Sequence, residues 1–107
     1  MKKFRIEFTE EAKADIARSY DWGKSEWGIS PAIRWYRALR SSVRELLVHF
    51  PLSQSIAPES DELGIEVRQL IFRRYRLIFE IDGNTVRILH LKGSFVNDGF
   101  DDDGEFE

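Results

Sequence analysis

The fold turns on Tyr75-Arg76-Leu77-Ile78-Phe79-Glu80-Ile81-Asp82-Gly83-Asn84-Thr85-Val86-Arg87-Ile88-Leu89-His90-Leu91-Lys92. Tyr75 to Ile81 and Thr85 to Lys92 are rich in β-branched and aromatic residues, as strands are. Asp82-Gly83-Asn84 between them is a hairpin turn, because Gly and Asn tolerate positive φ. Side chains alternate across a strand. Tyr75, Leu77, Phe79 and Ile81 therefore share one face, and that wholly apolar or aromatic face should meet the rest of the core. In the second strand Leu89 and Leu91 match it, while Ile88, His90 and Lys92 point the other way.

Upstream, Val67 to Phe72 is another strand, joined through a turn at Arg73-Arg74. Val67 and Ile71 are expected inward, with Arg68, Leu70 and Phe72 outward. Residues 51–66 hold three turn-like clusters and form the long loop of the chain, a place where small domains carry function or mobility. Two helices precede it. Thr9 caps the first, with Glu10 and Glu11 in its first turn, where carboxylates suit the helix dipole. Ala12, Ile16, Tyr20, Gly23 and Trp27 make one stripe along residues 10–26. Gly28 stops this helix, and Ser30 as N-cap with Pro31 at the first helical position starts the next. There Trp35, Leu39, Val43, Leu46 and Leu47 share a face, and Phe50-Pro51 ends the run. Phe4 to Phe8 alternates apolar and charged residues, a half-buried strand. The order β-α-α-β-β-β predicts an α+β fold, a helical hairpin packed on one face of a mainly antiparallel sheet.

The 107 residues suit one domain with one core. At 42% hydrophobic and 13% aromatic, the chain is too apolar to be wholly disordered. It has no cysteine, which excludes disulfides and thiolate metal sites and fits a reducing cytoplasm. No apolar run approaches the roughly 18 residues of a membrane span, and the N-terminus lacks the apolar core expected of a signal peptide. The net charge of −3 hides a split. Residues 98–107, DGFDDDGEFE, hold six acids and no Lys or Arg. Without them 16 basic residues face 13 acidic ones, so residues 1–97 carry +3. We therefore divide the chain into a domain, residues 1–93, and an acidic tail, residues 94–107. The tail's Phe95, Phe100 and Phe106 lie among acids, and such a segment could cover a cationic face.

The strand alternation gathers Arg68, Arg76, His90 and Lys92 on the open sheet face, over Leu70, Phe72, Ile78 and Ile88. Arginine offers phosphate or carboxylate a planar fork, and lysine a compact charge. Histidine can move a proton near neutral pH. The set suits a phosphate-bearing ligand or an amphipathic peptide. The plain alternative is a solvated face paired with Glu66 and Glu80. Other templates fail. His49 and His90 are the two histidines and form no metal cluster. No Gly-rich phosphate loop occurs, Ser41, Ser42 and Ser94 lack a nucleophile-elbow context, and no cofactor is expected. Trp22, Trp27 and Trp35 lie at core-like helical spacing, as core or interface anchors.

Taken together, Phe4-Arg5-Ile6-Glu7-Phe8-Thr9 leading to Glu11-Ala12 and Asp15-Ile16, the helix ending Leu46-Leu47-Val48-His49-Phe50-Pro51, and the blocks Glu66 to Leu70, Tyr75 to Ile81 and Val86 to Leu91 resemble the RelE/ParE toxin superfamily. They look most like its ParE-like, plasmid-stabilisation branch. The resemblance implies a small cytoplasmic bacterial toxin of a type II toxin–antitoxin system, neutralised by a cognate antitoxin that wraps the helical hairpin and sheet. It implies inhibition of DNA gyrase by binding, without chemistry, as in ParE-like members. The alternatives are a RelE-like, ribosome-dependent mRNA endoribonuclease and a decayed, non-toxic member. In the ribonuclease case Arg68 and Arg76 match arginines used near the scissile phosphate, with Lys92 stabilising charge and His90 as acid or base. Gly93 stands about where relatives often carry a His. Arg68, Arg73, Arg74 and Arg76, with Trp27 and Trp35, are the expected contacts to target or antitoxin, and the aromatic helices could support a homodimer.

Overall fold

The computed structural model describes residues 2–93; the readings of the acidic tail lie outside the described residues. The hairpin forms as read, from β4 (Tyr75–Asp82) and β5 (Thr85–Gly93), with Gly83 at φ 61° in the turn. Around it the chain runs β1 (Arg5–Phe8), α1 (Glu10–Trp27), α2 (Ile29–Leu47), a 3-10 turn at Pro51–Ser53, β2 (Ser55–Ile56), α3 (Glu59–Leu63) and β3 (Arg68–Phe72). The sheet order is β1-β5-β4-β3-β2, with β1 parallel to β5 and the other neighbours antiparallel. The fold is α+β, as expected. The long loop differs from expectation, since it supplies the two-residue edge strand β2 and the short helix α3.

Thr9 caps α1 twice over. Its Oγ1 accepts from the Ala12 amide at 3.1 Å and donates to the Ile88 carbonyl at 3.0 Å, pinning the helix start to β5. One residue, Gly28 at φ 97°, ends α1 and begins α2. Ser30 is therefore not the cap: it lies inside the first turn of α2. Pro31 is tolerated there because a first-turn amide has no partner within its helix. Trp35, Leu39, Val43 and Leu47 are buried, whereas Leu46 is exposed. On α1 the buried stripe is Ala12, Ile16, Ser19 and Gly23. Tyr20 is half-buried and Trp27 exposed, because the stripe follows Ser19 instead.

These helices pack on Leu70, Phe72, Tyr75, Leu77, Phe79, Val86, Ile88 and Leu91. Burying each large apolar side chain contributes roughly 1.5–3 kcal/mol. The expected faces are reversed in β3 and at Ile88 and Leu89 of β5. The Arg73-Arg74 turn has two residues and pairs Phe72 with Tyr75. Directly paired residues share a face, so Leu70 and Phe72 join the helix side. Val67 turns to the other face, and Ile71 is exposed. In β5 a bulge opposite Ile78 and Phe79 pairs Ile78 with His90 and Phe79 with Ile88, leaving Leu89 without a partner. Ile88 consequently enters the helix-side core. Leu89 packs on the opposite face against a small cluster of Ala57, Val67 and Ile78.

Candidate functional site

The sheet face away from the hairpin is where two predicted residues meet. Arg76 and Lys92 are directly paired across β4 and β5. The segment from β2 through α3 folds over this end of the face. The Ala57 amide donates to the Val67 carbonyl at 2.8 Å, and Ser60 Oγ bonds both the amide and the carbonyl of Val67. This places Glu59, at the start of α3, above the two cations. Arg76 grips its carboxylate with both guanidinium nitrogens, at 3.1 and 2.7 Å. Lys92 Nζ donates to the same carboxylate at 3.0 Å. Arg76 also donates to Gln69 Oε1 at 2.7 Å. The Glu59 side chain is 13% exposed. The Arg76 hydrogen bonds, with help from Lys92, outweigh the cost of its burial and hold its carboxyl at about 2, against an ordinary 4.5.

Arg68 is not with them. Its pairing with Phe79 puts it on the other face, a direct result of the β3 register. There its guanidinium donates to the Gln54 carbonyl at 2.7 Å and pairs with Glu66 at 3.1 Å, clasping the 3-10 turn to the sheet edge. His90 also leaves the set. Although paired with Ile78, its Nδ1 lies 3.2 Å from the Asp15 carboxylate on α1. Asp15 additionally accepts from the Leu91 amide at 3.0 Å and pairs with Arg18. Beyond Phe8, where β1 stops, Asp15 thus supplies the acceptor that a neighbouring strand would have given. Asp15, Arg18, Ser19, His90, Lys92 and Gly93 line a polar cleft of about 200 Å³.

Among the remaining candidates, Arg73 takes φ 56° in its turn and lays its guanidinium over the Phe72 ring at 5.0 Å, and Arg74 follows it in the same turn. Trp35 is 3% exposed and packs its ring 5.2 Å from Tyr75, so it is a core residue and not a surface contact. Trp27 is 44% exposed and stands edge-on to Trp22 at 5.3 Å near the hairpin tip.

Sequence reasoning missed four features. Glu59 falls in the segment expected to be loop; its signal is a Pro-Glu step opening a short acidic helix. Asp15, whose partners lie on β5, has no local pattern that assigns it a role. Arg87 joins three strands, pairing with Glu7 of β1 and with Glu80 and Asp82 of β4, and these carboxylates raise its already high proton affinity. The fourth is an apolar groove of about 540 Å³ between α1 and α2. Phe8, Ile16, Ala17, Tyr20, Ile33 and Tyr36 line it, with Lys13 and Arg40 at its rim.

The family model described as the ParE toxin of type II toxin–antitoxin system, parDE, matches residues 6–93. A solved structure described as the chromosomal ParDE TA system from P. aeruginosa superposes with a TM-score of 0.70 at 20% identity, covering 85% of this chain and 96% of that one. At that identity the likeness is one of fold. No curated protein sequence matches the chain.

Proposed function

The chain belongs to the ParE toxin family of type II toxin–antitoxin systems, and from that premise we propose that it acts by binding DNA gyrase, without cutting RNA, and is neutralised by a cognate antitoxin. The observation that carries the binding reading is the dispersal of the four residues a nuclease would need. Arg76 and Lys92 share Glu59 on one face, Arg68 serves a loop on the other, and His90 is held by Asp15 at the edge of β5. Ribonuclease chemistry asks for acid, base and charge stabiliser within hydrogen-bond reach of one phosphate. The surface that suits an antitoxin segment is the apolar groove of the hairpin, which offers rings and aliphatic side chains to an amphipathic helix or strand. The cytoplasm is the compartment in which gyrase is met; no helix among the described residues is long and apolar enough to cross a membrane.

The test is a pair of assays on the purified protein: gyrase supercoiling, and primer extension on messages from a translating ribosome system. Inhibited supercoiling with intact message is expected. Codon-positioned cuts would overturn the proposal in favour of the ribonuclease. If cuts were seen, His90→Ala with retained cleavage would remove His90 from the mechanism.

A further inference from the structure

We propose that the outward face of α2 binds the phosphate backbone of duplex DNA, through Arg34, Arg37 and Arg44. This goes beyond the gyrase reading, and its test contains no gyrase.

The sequence of α2 holds four arginines and one acid, Glu45, so the helix carries +3. Arg37 and Arg44 lie two turns apart along one side, and Arg34 stands one turn before Arg37. All three are exposed. Among the described residues no carboxylate pairs with any of them, whereas Arg18, Arg68, Arg76 and Arg87 each hold one. Arg40 differs, since it stands at the rim of the groove and donates to Tyr36 Oη at 2.9 Å. The row does not serve the helix itself. Arg34, Arg37, Arg40 and Arg44 follow one another at spacings of three and four, where like charges weaken a helix. Their charge is offered outward.

From Arg34 to Arg44 the helix rises about 15 Å. Past its end the Phe4 amide donates to the Val48 carbonyl at 2.8 Å, and His49 Nδ1 lies 3.3 Å from the Lys2 carbonyl. The exposed Lys2 and Lys3 are thereby held at the same end of the molecule and lengthen the row. Duplex DNA presents one phosphate charge per about 1.7 Å of axis, so the row meets several phosphates in any register. The chain's net −3 does not cancel it, because charges beyond about 10 Å are largely screened at 0.1 M salt. The residues standing among the arginines choose the partner. They are Ala38 and Ser41, small side chains that permit close approach. A protein interface centres on aromatic or aliphatic anchors, and single strands are held by rings on which bases stack; this face offers neither. The major groove of B-form DNA is about 12 Å wide and admits a helix, whereas that of A-form RNA is deep and narrow.

The test is fluorescence anisotropy of a short labelled DNA duplex with the full chain at several salt concentrations, beside amide shift mapping of the isotope-labelled protein. Binding should weaken steadily as salt rises. Replacing Arg34, Arg37 and Arg44 together by glutamine should cost roughly tenfold in affinity at low salt and take about 2–3 from the slope of log affinity against log salt. Because the three side chains are exposed, the thermal unfolding of that variant should match the parent's. The corresponding lysine triple keeps the charge and should keep the slope. On adding duplex, the amides from Arg34 to Arg44 should shift while those of Gln69 and Ile71 stay in place. A parent chain that does not bind, a glutamine triple that binds like the parent, or shifts centred on Arg76 would each overturn the proposal. Duplex RNA bound as tightly as DNA, or a poly-glutamate peptide bound more tightly, would overturn it by assigning the row to another polyanion.

Discussion

Replacing Glu59 by glutamine removes one charge and keeps the shape, so it isolates the tie between α3 and the sheet. At about 1.4 kcal/mol per tenfold change in proton affinity, the displacement of its carboxyl from 4.5 to about 2 caps the tie at about 3 kcal/mol. Solvent lowers that ceiling, because the Arg76 and Lys92 side chains are 32% and 41% exposed. The glutamine oxygen also keeps one hydrogen bond. The expected cost of Glu59→Gln at pH 7 is therefore about 1–2 kcal/mol, a fall of about 1 M in the urea midpoint for a domain of this size. The sign with pH follows from linkage. A carboxyl whose folded pKa is depressed contributes in full above its unfolded value, near 4.5, and loses that contribution as pH falls toward about 2. Parent and variant should therefore converge between about pH 5 and pH 2. Urea titrations followed by tryptophan fluorescence at low salt would measure both. Equal midpoints at pH 7, or a gap that stays constant as the solution is acidified, would refute the electrostatic account of how α3 is held.

Three further outcomes follow from the packing and the caps. Phe79→Ala deletes a ring with no exposed surface at the centre of β4 and should cost about 3–5 kcal/mol, read as loss of a cooperative thermal transition or a steep fall in its midpoint. Gly28→Ala meets no steric contact closer than the Pro31 ring at 3.9 Å, so its cost is backbone strain at φ 97°; about 1–3 kcal/mol is expected, seen as a lowered melting temperature by circular dichroism. Thr9→Ala loses the cap of α1 and the bond from α1 to β5 together and should cost about 1–2 kcal/mol, with faster hydrogen exchange at the Ala12 amide.

Elements set by short-range pattern were legible in the sequence. The β4–β5 hairpin, both long helices and the Gly28 break all follow from periodicity and turn chemistry. The faces of β3 and β5 were not, for two different reasons. For β3 the information was present: a two-residue turn at Arg73-Arg74 forces Phe72 onto the face of Tyr75, and that constraint outweighs the pattern of Val67 and Ile71. For β5 it was absent, since a bulge at Leu89 depends on how α1 and β1 meet the strand. Sorting Ile88 and Leu89 by strict alternation therefore failed. The β3 register separates Arg68 from Arg76 and Lys92, whereas His90 keeps its expected pairing with Ile78 and is drawn off by Asp15 of α1. Glu59 and Asp15 escaped notice because their partners are 17 and 75 residues away, and no local pattern carries such a pairing.

The parallel pairing of β1 with β5 joins Arg5 to Thr85 and Phe8 to Ile88. Among the described residues, the first strand therefore finds its only sheet neighbour in the last. Closing so long a loop is entropically costly and comes late in folding. During synthesis, Phe4 and Ile6 have no sheet to rest on until β5 emerges, and α1 lacks the carbonyl of Ile88 that anchors its cap. The α1–α2 hairpin can form early from local contacts, but it stays undocked. The sheet face that brings Arg76 and Lys92 together under Glu59 therefore exists only once β5 has been made.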